Sequence, residues 1–252
     1  MRLTVLGCAG SRTPGHHSPA FLVNEELLLD AGSIGAVLSN IQLRQIRTIL
    51  VSHAHLDHIK GIANLAEYIL INRLRHTIQV VSTAPVIQTM CEHLFNDQIW
   101  PDFSRLPSAD NGILRWRPIE PAEEQLIAGM SVTAIEVDHT VPAVGFRITS
   151  GDRTIMYTGD TGPTGRIWRW VDDLAALIIE VSFPNSHEDL SIRCGHLTPS
   201  LLARELQKLG ELPTRILVTH LKHPFSEQIQ QELAELGIAQ LEIAQEGTVY
   251  SL

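Results

Sequence analysis

The chain has few cysteines and no excess of basic residues. Its 252 residues include only three cysteines, Cys8, Cys91 and Cys194, which are odd in number and far apart. This usage is typical of a reducing compartment and gives no basis for a disulfide framework. Nineteen lysines and arginines stand against 28 aspartates and glutamates, for a net charge of −9. Because a surface that binds nucleic acid needs clustered basic residues, we expect no nucleic-acid partner.

Targeting and linker segments are also lacking. The chain opens as a strand that runs into Gly7, without an apolar signal core. No apolar run approaches the roughly 18 residues of a membrane span. No block repeats, and no stretch is rich in Pro, Ser or Gly. We therefore expect a single domain over residues 1–252, located in the cytoplasm and without a membrane partner.

The sequence does contain many short strands with amphipathic helices between them. Runs of Val, Ile, Leu and Thr bounded by turn residues predict strands. They are Leu3–Leu6, Ala20–Val23, Leu27–Asp30, Thr48–Ser52, Gln79–Ser82, Val132–Val137, Val144–Thr149, Thr154–Thr158, Ala176–Val181, Ile216–Thr219, Gln240–Ala244 and Thr248–Ser251. Helical spacing predicts helices over Ile59–Arg75, Pro85–Phe95, Thr198–Leu209 and Glu227–Leu236. Many antiparallel strands in two similar halves predict two packed sheets flanked by helices, an α/β (α+β) class.

Metal-ligand side chains follow one predicted strand directly. His53, His55, Asp57 and His58 come immediately after Thr48–Ser52. His53 and His55 are two positions apart, so on an extended chain they point the same way. Imidazole and carboxylate together suit Zn²⁺, Mn²⁺ or Fe²⁺. The alternative is a His-rich surface loop, which one isolated histidine would support but four such side chains do not.

Three more predicted strands end in a residue of this kind. His139, Asp160 and His220 follow the strands that end near Val137, Thr158 and Thr219. Neighbouring strand ends meet at one rim of a sheet, where open sites form on layered folds. The spacing therefore predicts a metal site at that rim.

This set of residues, HAHLDH at 53–58 followed by His139, Asp160 and His220, resembles the metallo-β-lactamase superfamily over essentially the whole chain. The resemblance implies a four-layer αββα sandwich that binds two divalent ions. It places His53, His55 and His139 on one ion, Asp57, His58 and His220 on the other, and Asp160 between them. Asp30 resembles the family aspartate that orients a ligand histidine, with an ordinary turn aspartate as the alternative.

Three segments resemble the class II cyclic-nucleotide phosphodiesterases within this superfamily. They are HAHLDHIKGI at 53–62, HLFNDQIWPDF at 93–103 and CGHLTP at 194–199. The resemblance implies hydrolysis of 3′,5′-cyclic nucleotides, cAMP or cGMP, to 5′-monophosphates by a hydroxide that bridges the two ions. The sequence does not rank cAMP against cGMP or Zn²⁺ against Mn²⁺ and Fe²⁺. A homodimer would fit the family.

The same resemblance assigns catalytic roles. His196 would protonate the leaving oxygen as general acid, with a structural histidine as the alternative. Glu180 is an acid in an apolar run, so it needs a partner, and we predict a hydrogen bond to His196. Asp57 counts as catalytic as well as metal-binding.

Candidate substrate contacts are Trp100, His187 and His17. Trp100 next to Pro101 would offer a flat face to the base, or would be an ordinary core residue. The two histidines lie in loops that could border the site, although histidines in such loops are more often solvated.

Three rival functions remain open. An RNA phosphodiesterase of the tRNase Z kind would share the ligands, but it needs a basic arm that the sequence lacks. A hydrolase of esters, thioesters or lactams would leave the GHLTP segment without a clear role. A metal-binding sensor without turnover is a third class, although relatives of that kind lose ligands and every ligand position here is filled.

Overall fold

The computed structural model describes residues 1–11 and 13–252 and has two sheets of seven strands each. The strands are β1 (Arg2–Gly7), β2 (Ala20–Val23), β3 (Leu27–Leu29), β4 (Thr48–Leu50), β5 (Ile78–Ser82), β6 (Leu114–Pro118), β7 (Glu124–Ile127), β8 (Met130–Glu136), β9 (Val144–Ser150), β10 (Arg153–Tyr157), β11 (Ala176–Glu180), β12 (Ile216–Thr219), β13 (Leu241–Ile243) and β14 (Val249–Ser251). The helices are α1 (Asn40–Leu43), α2 (Leu56–Ile71), α3 (Ala84–His93), α4 (Glu188–Arg193), α5 (Pro199–Leu206) and α6 (Ser226–Glu235).

Each sheet is half antiparallel and half parallel. The first has the order β14-β1-β2-β3-β4-β5-β6 and becomes parallel from β3 onward. The second has the order β13-β12-β11-β10-β9-β8-β7, and its strands from β10 to β13 are parallel. Half of the pairings in each sheet are therefore antiparallel, in agreement with the prediction of many antiparallel strands, and the other half are parallel. Parallel strands such as β4 and β12 are nearly continuous apolar runs because they are buried on both faces.

Three hydrophobic clusters separate four layers. One cluster lies between the sheets and joins Phe21 and Leu29 to Phe146 and Tyr157. A second packs α2 and α3 on the outer face of the first sheet, and a third packs α5 and α6 on the second sheet. The αββα sandwich is confirmed.

The start of α5 agrees with the prediction, whereas that of α2 differs from it. Thr198 caps α5 through a hydrogen bond from the Leu201 amide to its Oγ1 at 3.3 Å, and Pro199 is the first helical residue, as predicted. Helix α2 begins at Leu56, three residues earlier than predicted, so Asp57 and His58 lie in its first turn. These two side chains are therefore fixed by helical geometry rather than by a loop.

Two strands, β6 and β7, were missed. β6 and β7 carry charged or polar residues among few apolar ones, so they lack the apolar pattern of the other strands. The last two strands do not pair with each other: β13 pairs with β12, and β14 returns to β1 in the other sheet. Within the described residues, no helix has both the length and the apolar character needed to cross a bilayer.

Candidate metal centre and active site

The ligand-type residues meet at one rim shared by the two sheets. β8, β10 and β12 run in the same direction, because β8 and β10 are both antiparallel to β9 and β10 to β12 are parallel. Their carboxyl ends therefore deliver His139, Asp160 and His220 to one edge. His53, which follows β4 of the first sheet, forms a β-bridge with Ala143 of the second. This bridge closes the two sheets against each other at the site.

Four residues form a first group of ligand atoms. Atoms of His53, His55, His139 and Asp160 all lie within 4.8 Å of one another. His139 Nε2 is 3.2 Å from His55 Nδ1, and His53 Nε2 is 3.8 Å from Asp160 Oδ2. The predicted first-ion ligands are thus brought together.

A second group lies beside the first and shares an oxygen with it. Atoms of Asp57, His58 and His220 lie within 4.8 Å of one another. The Nε2 atoms of His58 and His220 are also 3.4 Å and 3.2 Å from Asp160 Oδ2. Asp160 therefore lies between the groups, at the position predicted for a bridging carboxylate.

The imidazoles present lone pairs to this space. Gly195 O lies 2.8 Å from His139 Nδ1, and Asp30 Oδ2 lies 2.7 Å from His58 Nδ1. Because these oxygens only accept, each ring donates from Nδ1 and keeps its Nε2 lone pair for the centre. Nε2 of His53, His58 and His220 is buried without a hydrogen-bond partner among the described residues. Buried, unpaired nitrogens that face two carboxylates fit a divalent cation.

The pKa shifts at the centre also favour the protonation states that metal binding requires. Burial lowers the pKa of His53, His55 and His139, which keeps these rings neutral, as metal binding requires. Burial would raise the pKa of Asp57, but His220, whose Nε2 lies 3.4 Å from Asp57 Oδ2, and His58 outweigh burial and lower the pKa well below its usual range. Asp160 behaves likewise, since burial is outweighed by His220 and His58.

His58 differs from the other ligand-type histidines because two carboxylates lie close to it. Burial lowers its pKa, but Asp160 and Asp30 outweigh burial and raise the pKa well above the ordinary value.

Asp30 is fully buried and contacts the metal centre through His58. Its carboxylate accepts hydrogen bonds from the Ser52 amide (2.7 Å), the Ser52 hydroxyl (2.7 Å), the Tyr157 hydroxyl (2.6 Å) and His58 Nδ1 (2.7 Å). The predicted contact with a ligand histidine is present. Sequence reasoning missed Ser52 and Tyr157. Tyr157 did carry a signal, because a phenol at the end of an apolar strand needs a partner for its hydroxyl.

His196 and Glu180 form the pair that the sequence predicted. Glu180 is fully buried, and its Oε1 lies 2.7 Å from His196 Nδ1. Burial lowers the pKa of His196, but the Glu180 carboxylate outweighs it and raises the pKa. Ser182, which sequence reasoning missed, lies 2.9 Å from Glu180 Oε2 and 2.8 Å from His220 Nδ1. It connects the pair to a ligand histidine.

The predicted substrate contacts lie in different surroundings. Trp100 lies on the loop after α3 and packs, half-buried, against the hydrophobic cluster under α2 and α3. His17 is held through Nδ1 by Glu246 at 2.6 Å. Neither contact set includes a residue of the metal centre, and their roles in substrate binding stay predictions.

His187 lies at the outer end of a row of rings that leads to His196. Its ring centroid is 4.8 Å from that of Phe225, which is 6.3 Å from Phe183. Phe183 in turn is 5.8 Å from His196. Lys222 Nζ lies 5.3 Å from the centre of the Phe183 ring. The sequence analysis did not identify Phe183, Phe225 or Lys222 as neighbours of the site. Aromatic residues in a chain with this fold are mostly core residues, so the two phenylalanines gave no signal.

Known proteins resemble this chain in sequence and in fold. The family model described as "Beta-lactamase superfamily domain" matches residues 29–221. A probable 3′,5′-cyclic-nucleotide phosphodiesterase of Yersinia pestis is 29% identical over 227 residues, covering 79% of this chain and 63% of that protein. A ribonuclease Z of Archaeoglobus fulgidus is 22% identical over 292 aligned residues, covering 93% and 91%. The crystal structure of unliganded yeast PDE1 superimposes with a TM-score of 0.83 over 98% of each chain at 19% identity.

Proposed function

The chain belongs to the beta-lactamase superfamily as a metal-dependent hydrolase, and from this membership we propose that it hydrolyses 3′,5′-cyclic nucleotides to nucleoside 5′-monophosphates. The Yersinia pestis relative supports this substrate class, although this chain spans only 63% of its length. The observation that carries the proposal is the buried His196–Glu180 pair beside the two ligand groups. Such a pair suits a reaction whose leaving group is a poor one, as a sugar oxygen is.

The ligand groups suit two divalent ions. His53, His55 and His139 would hold one, Asp57, His58 and His220 the other, and Asp160 both. When bound, the ions supply positive charge for a phosphodiester and lower the pKa of a water molecule. Nitrogen and oxygen ligands without thiolate accept Zn²⁺, Mn²⁺ and Fe²⁺.

His196 supplies the proton in this proposal. Its Nδ1 is engaged by Glu180, so Nε2 is the nitrogen that would protonate the departing 3′ oxygen. Glu180 fixes the ring and stabilises its cationic form. Ser182 donates its single hydroxyl proton to Glu180 Oε2 and accepts from His220 Nδ1, which leaves His220 Nε2 for the metal centre.

The row of rings beside His196 suits the nucleoside half of the substrate. Phe225 and His187 are half-buried and offer flat faces on which a base would stack, whereas Phe183 is buried between Phe225 and His196. Lys222 adds a cation next to Phe183. This row, rather than Trp100, lies beside the catalytic pair.

An RNA phosphodiesterase is the second candidate, because the ribonuclease Z relative aligns over 91% of its own length. The net charge of −9 favours the small substrate, since it opposes a long polyanion.

Hydrolysis assays separate these candidates. Protein reconstituted with Zn²⁺, Mn²⁺ or Fe²⁺ is given cAMP, cGMP, a tRNA precursor and bis-p-nitrophenyl phosphate, next to His196→Ala. We expect release of 5′-AMP or 5′-GMP that the variant loses. Cleavage of the tRNA precursor in place of the cyclic nucleotides would move the assignment to RNA. Turnover of bis-p-nitrophenyl phosphate alone would contradict both the cyclic-nucleotide and the RNA assignment.

A further inference from the structure

A cleft of about 880 Å³ lies at the edge of the first sheet opposite to the metal centre. Its lining comes from the amino ends of β4, β5 and β6 and from the carboxyl end of α2. The lining includes four arginines, Arg47, Arg73, Arg75 and Arg115. This is a dense basic patch on a chain whose net charge is −9.

The arginines of this cleft have no carboxylate partner. Among residues 1–11 and 13–252, none of the four forms an ion pair within 4.0 Å, whereas seven other Lys and Arg side chains do. Arg47 donates to the backbone carbonyls of Arg44 and Ile46, and Arg115 to that of Asp110. Neutral carbonyls do not cancel the positive charge, so the cleft as a whole remains cationic.

The floor of the cleft is apolar. Ile69 and Ile113 are buried there, with Leu74 and Pro107 beside them. His76 also lines the cleft, and its Nε2 is buried without a hydrogen-bond partner among the described residues. A concave apolar floor with a few polar groups and a rim of guanidinium groups is suited to a ligand that is apolar at one end and anionic at the other.

The cleft is separate from the catalytic rim. Helix α2 carries Asp57 and His58 in its first turn and Ile69, in the floor of the cleft, near its other end, and its 16 residues span roughly 24 Å. Likewise, β4 begins beside Arg47 and leads to His53 at the opposite edge. A ligand of the cleft therefore cannot touch the metal centre.

We infer that this cleft is a second binding site, for a nucleoside phosphate, with the base on the apolar floor and the phosphate on Arg73, Arg75 and Arg115. A mononucleotide fits a cavity of this size, and guanidinium groups bind phosphate oxygens in pairs. The four arginines are gathered in one concavity rather than spread along a stripe, which favours a small anion over RNA. The inference does not rest on the proposed reaction, because the cleft shares no residue with the metal centre.

Titration with 5′-AMP of the metal-loaded and of the metal-free protein tests this site, because binding of 5′-AMP as the proposed product at the metal centre requires the ions, whereas binding in the cleft does not. We expect a binding event that Arg73→Gln/Arg75→Gln weakens by at least about tenfold, since each charge-assisted contact contributes roughly that factor. Arg2→Gln/Arg153→Gln, a pair of exposed arginines elsewhere, should leave it unchanged. Turnover of bis-p-nitrophenyl phosphate should be equal in all three proteins, so loss of the cleft event is distinct from failure of the catalytic site.

Competing ligands decide the ligand class. Adenosine and inorganic phosphate should each bind far more weakly than 5′-AMP. Equal binding of phosphate and 5′-AMP would overturn the nucleoside part of the inference. A 20-nucleotide RNA that binds more tightly than 5′-AMP and loses affinity in Arg73→Gln/Arg75→Gln would replace it with an RNA surface. Unchanged 5′-AMP affinity in that variant would overturn the site.

Discussion

Nδ1 of His196 lies 2.7 Å from Oε1 of Glu180, in a place where Glu180 has no exposure to solvent. A buried carboxylate needs a partner, and here the partner is the ring that we propose as the proton donor. The carboxylate charge raises the pKa of that ring against the opposing effect of burial. The two residues therefore act as a unit.

Removing the negative charge of Glu180 should lower kcat to a different extent for substrates with different leaving groups. In Glu180→Gln, kcat for cAMP should fall by about 100-fold, because the acid loses the carboxylate that stabilises its cation. Bis-p-nitrophenyl phosphate needs little protonation of its leaving group, so its kcat should fall far less. The measurement is kcat for both substrates, with the exposed Glu67→Gln as the matched control. An equal loss on both substrates would mean that Glu180 is only structural.

The two ligand groups predict two separable ions. His139→Ala and His220→Ala should each lower the metal content from about two ions to about one per chain, because they remove ligands from different groups. Elemental analysis after dialysis measures this, with His16→Ala as a control outside both groups. Two ions retained in either variant would contradict the grouping.

Asp30 predicts an indirect effect on metal affinity. Asp30→Asn removes the carboxylate that fixes His58, and affinity should fall roughly 10- to 100-fold while the ligands themselves stay in place. Competition with a chromophoric chelator measures the dissociation constants. Tyr157→Phe removes only one donor to Asp30 and should have a smaller effect. Equal affinity in Asp30→Asn and the parent protein would assign Asp30 to the fold alone.

The clustering of the ligand-type residues was predictable because their spacing reflects strand ends. A histidine or aspartate directly after an apolar strand is visible in the sequence, and the strand directions bring such residues together. Ser182 was not predictable, since it connects Glu180, two positions before it, to His220, which lies 38 positions further along the chain. A hydroxyl has no periodic pattern that would indicate such a role.

Trp100 illustrates the limit of a motif. Its segment resembles that of a phosphodiesterase, yet the structure packs the indole against the cluster under α2 and α3. Motif resemblance identifies a segment, whereas the direction of one side chain depends on packing that the sequence does not encode locally.

The row of rings beside His196 is expected to determine KM for cAMP. Phe225→Leu keeps the apolar volume but removes the stacking face, so KM for cAMP should rise about tenfold with kcat little changed. Trp100→Phe should instead lower the melting temperature and leave KM unaltered. Steady-state kinetics and thermal unfolding of both variants measure this difference. A raised KM in Trp100→Phe would restore Trp100 as the contact with the base.

Asp102 lies on the loop after α3, and we expect it to make a pH-dependent contribution to the free energy of unfolding. Burial would raise the pKa of Asp102, but hydrogen bonds from Ser104 and Arg105 outweigh it and lower the pKa below its ordinary value. A lowered carboxyl pKa stabilises the fold above the unfolded-state pKa, and this contribution is lost as the pH falls through the folded-state pKa. Asp102→Asn should therefore cost about 1 kcal/mol at pH 7, and the difference from the parent protein should shrink below about pH 4.

Urea unfolding of the metal-free protein at pH 7 and pH 3 measures this contribution without a change in metal content. Asp152→Asn is the matched control, because Asp152 is 87% exposed and its pairing with Arg153 contributes little. If Asp102→Asn lowers the free energy of unfolding equally at both pH values, the shape of the Asp102 side chain, rather than its ionised carboxylate, stabilises the loop. The loop also carries Trp100, which packs against the cluster under α2 and α3, so a charge-dependent loss of stability would indicate that this segment stabilises the packing on the first sheet.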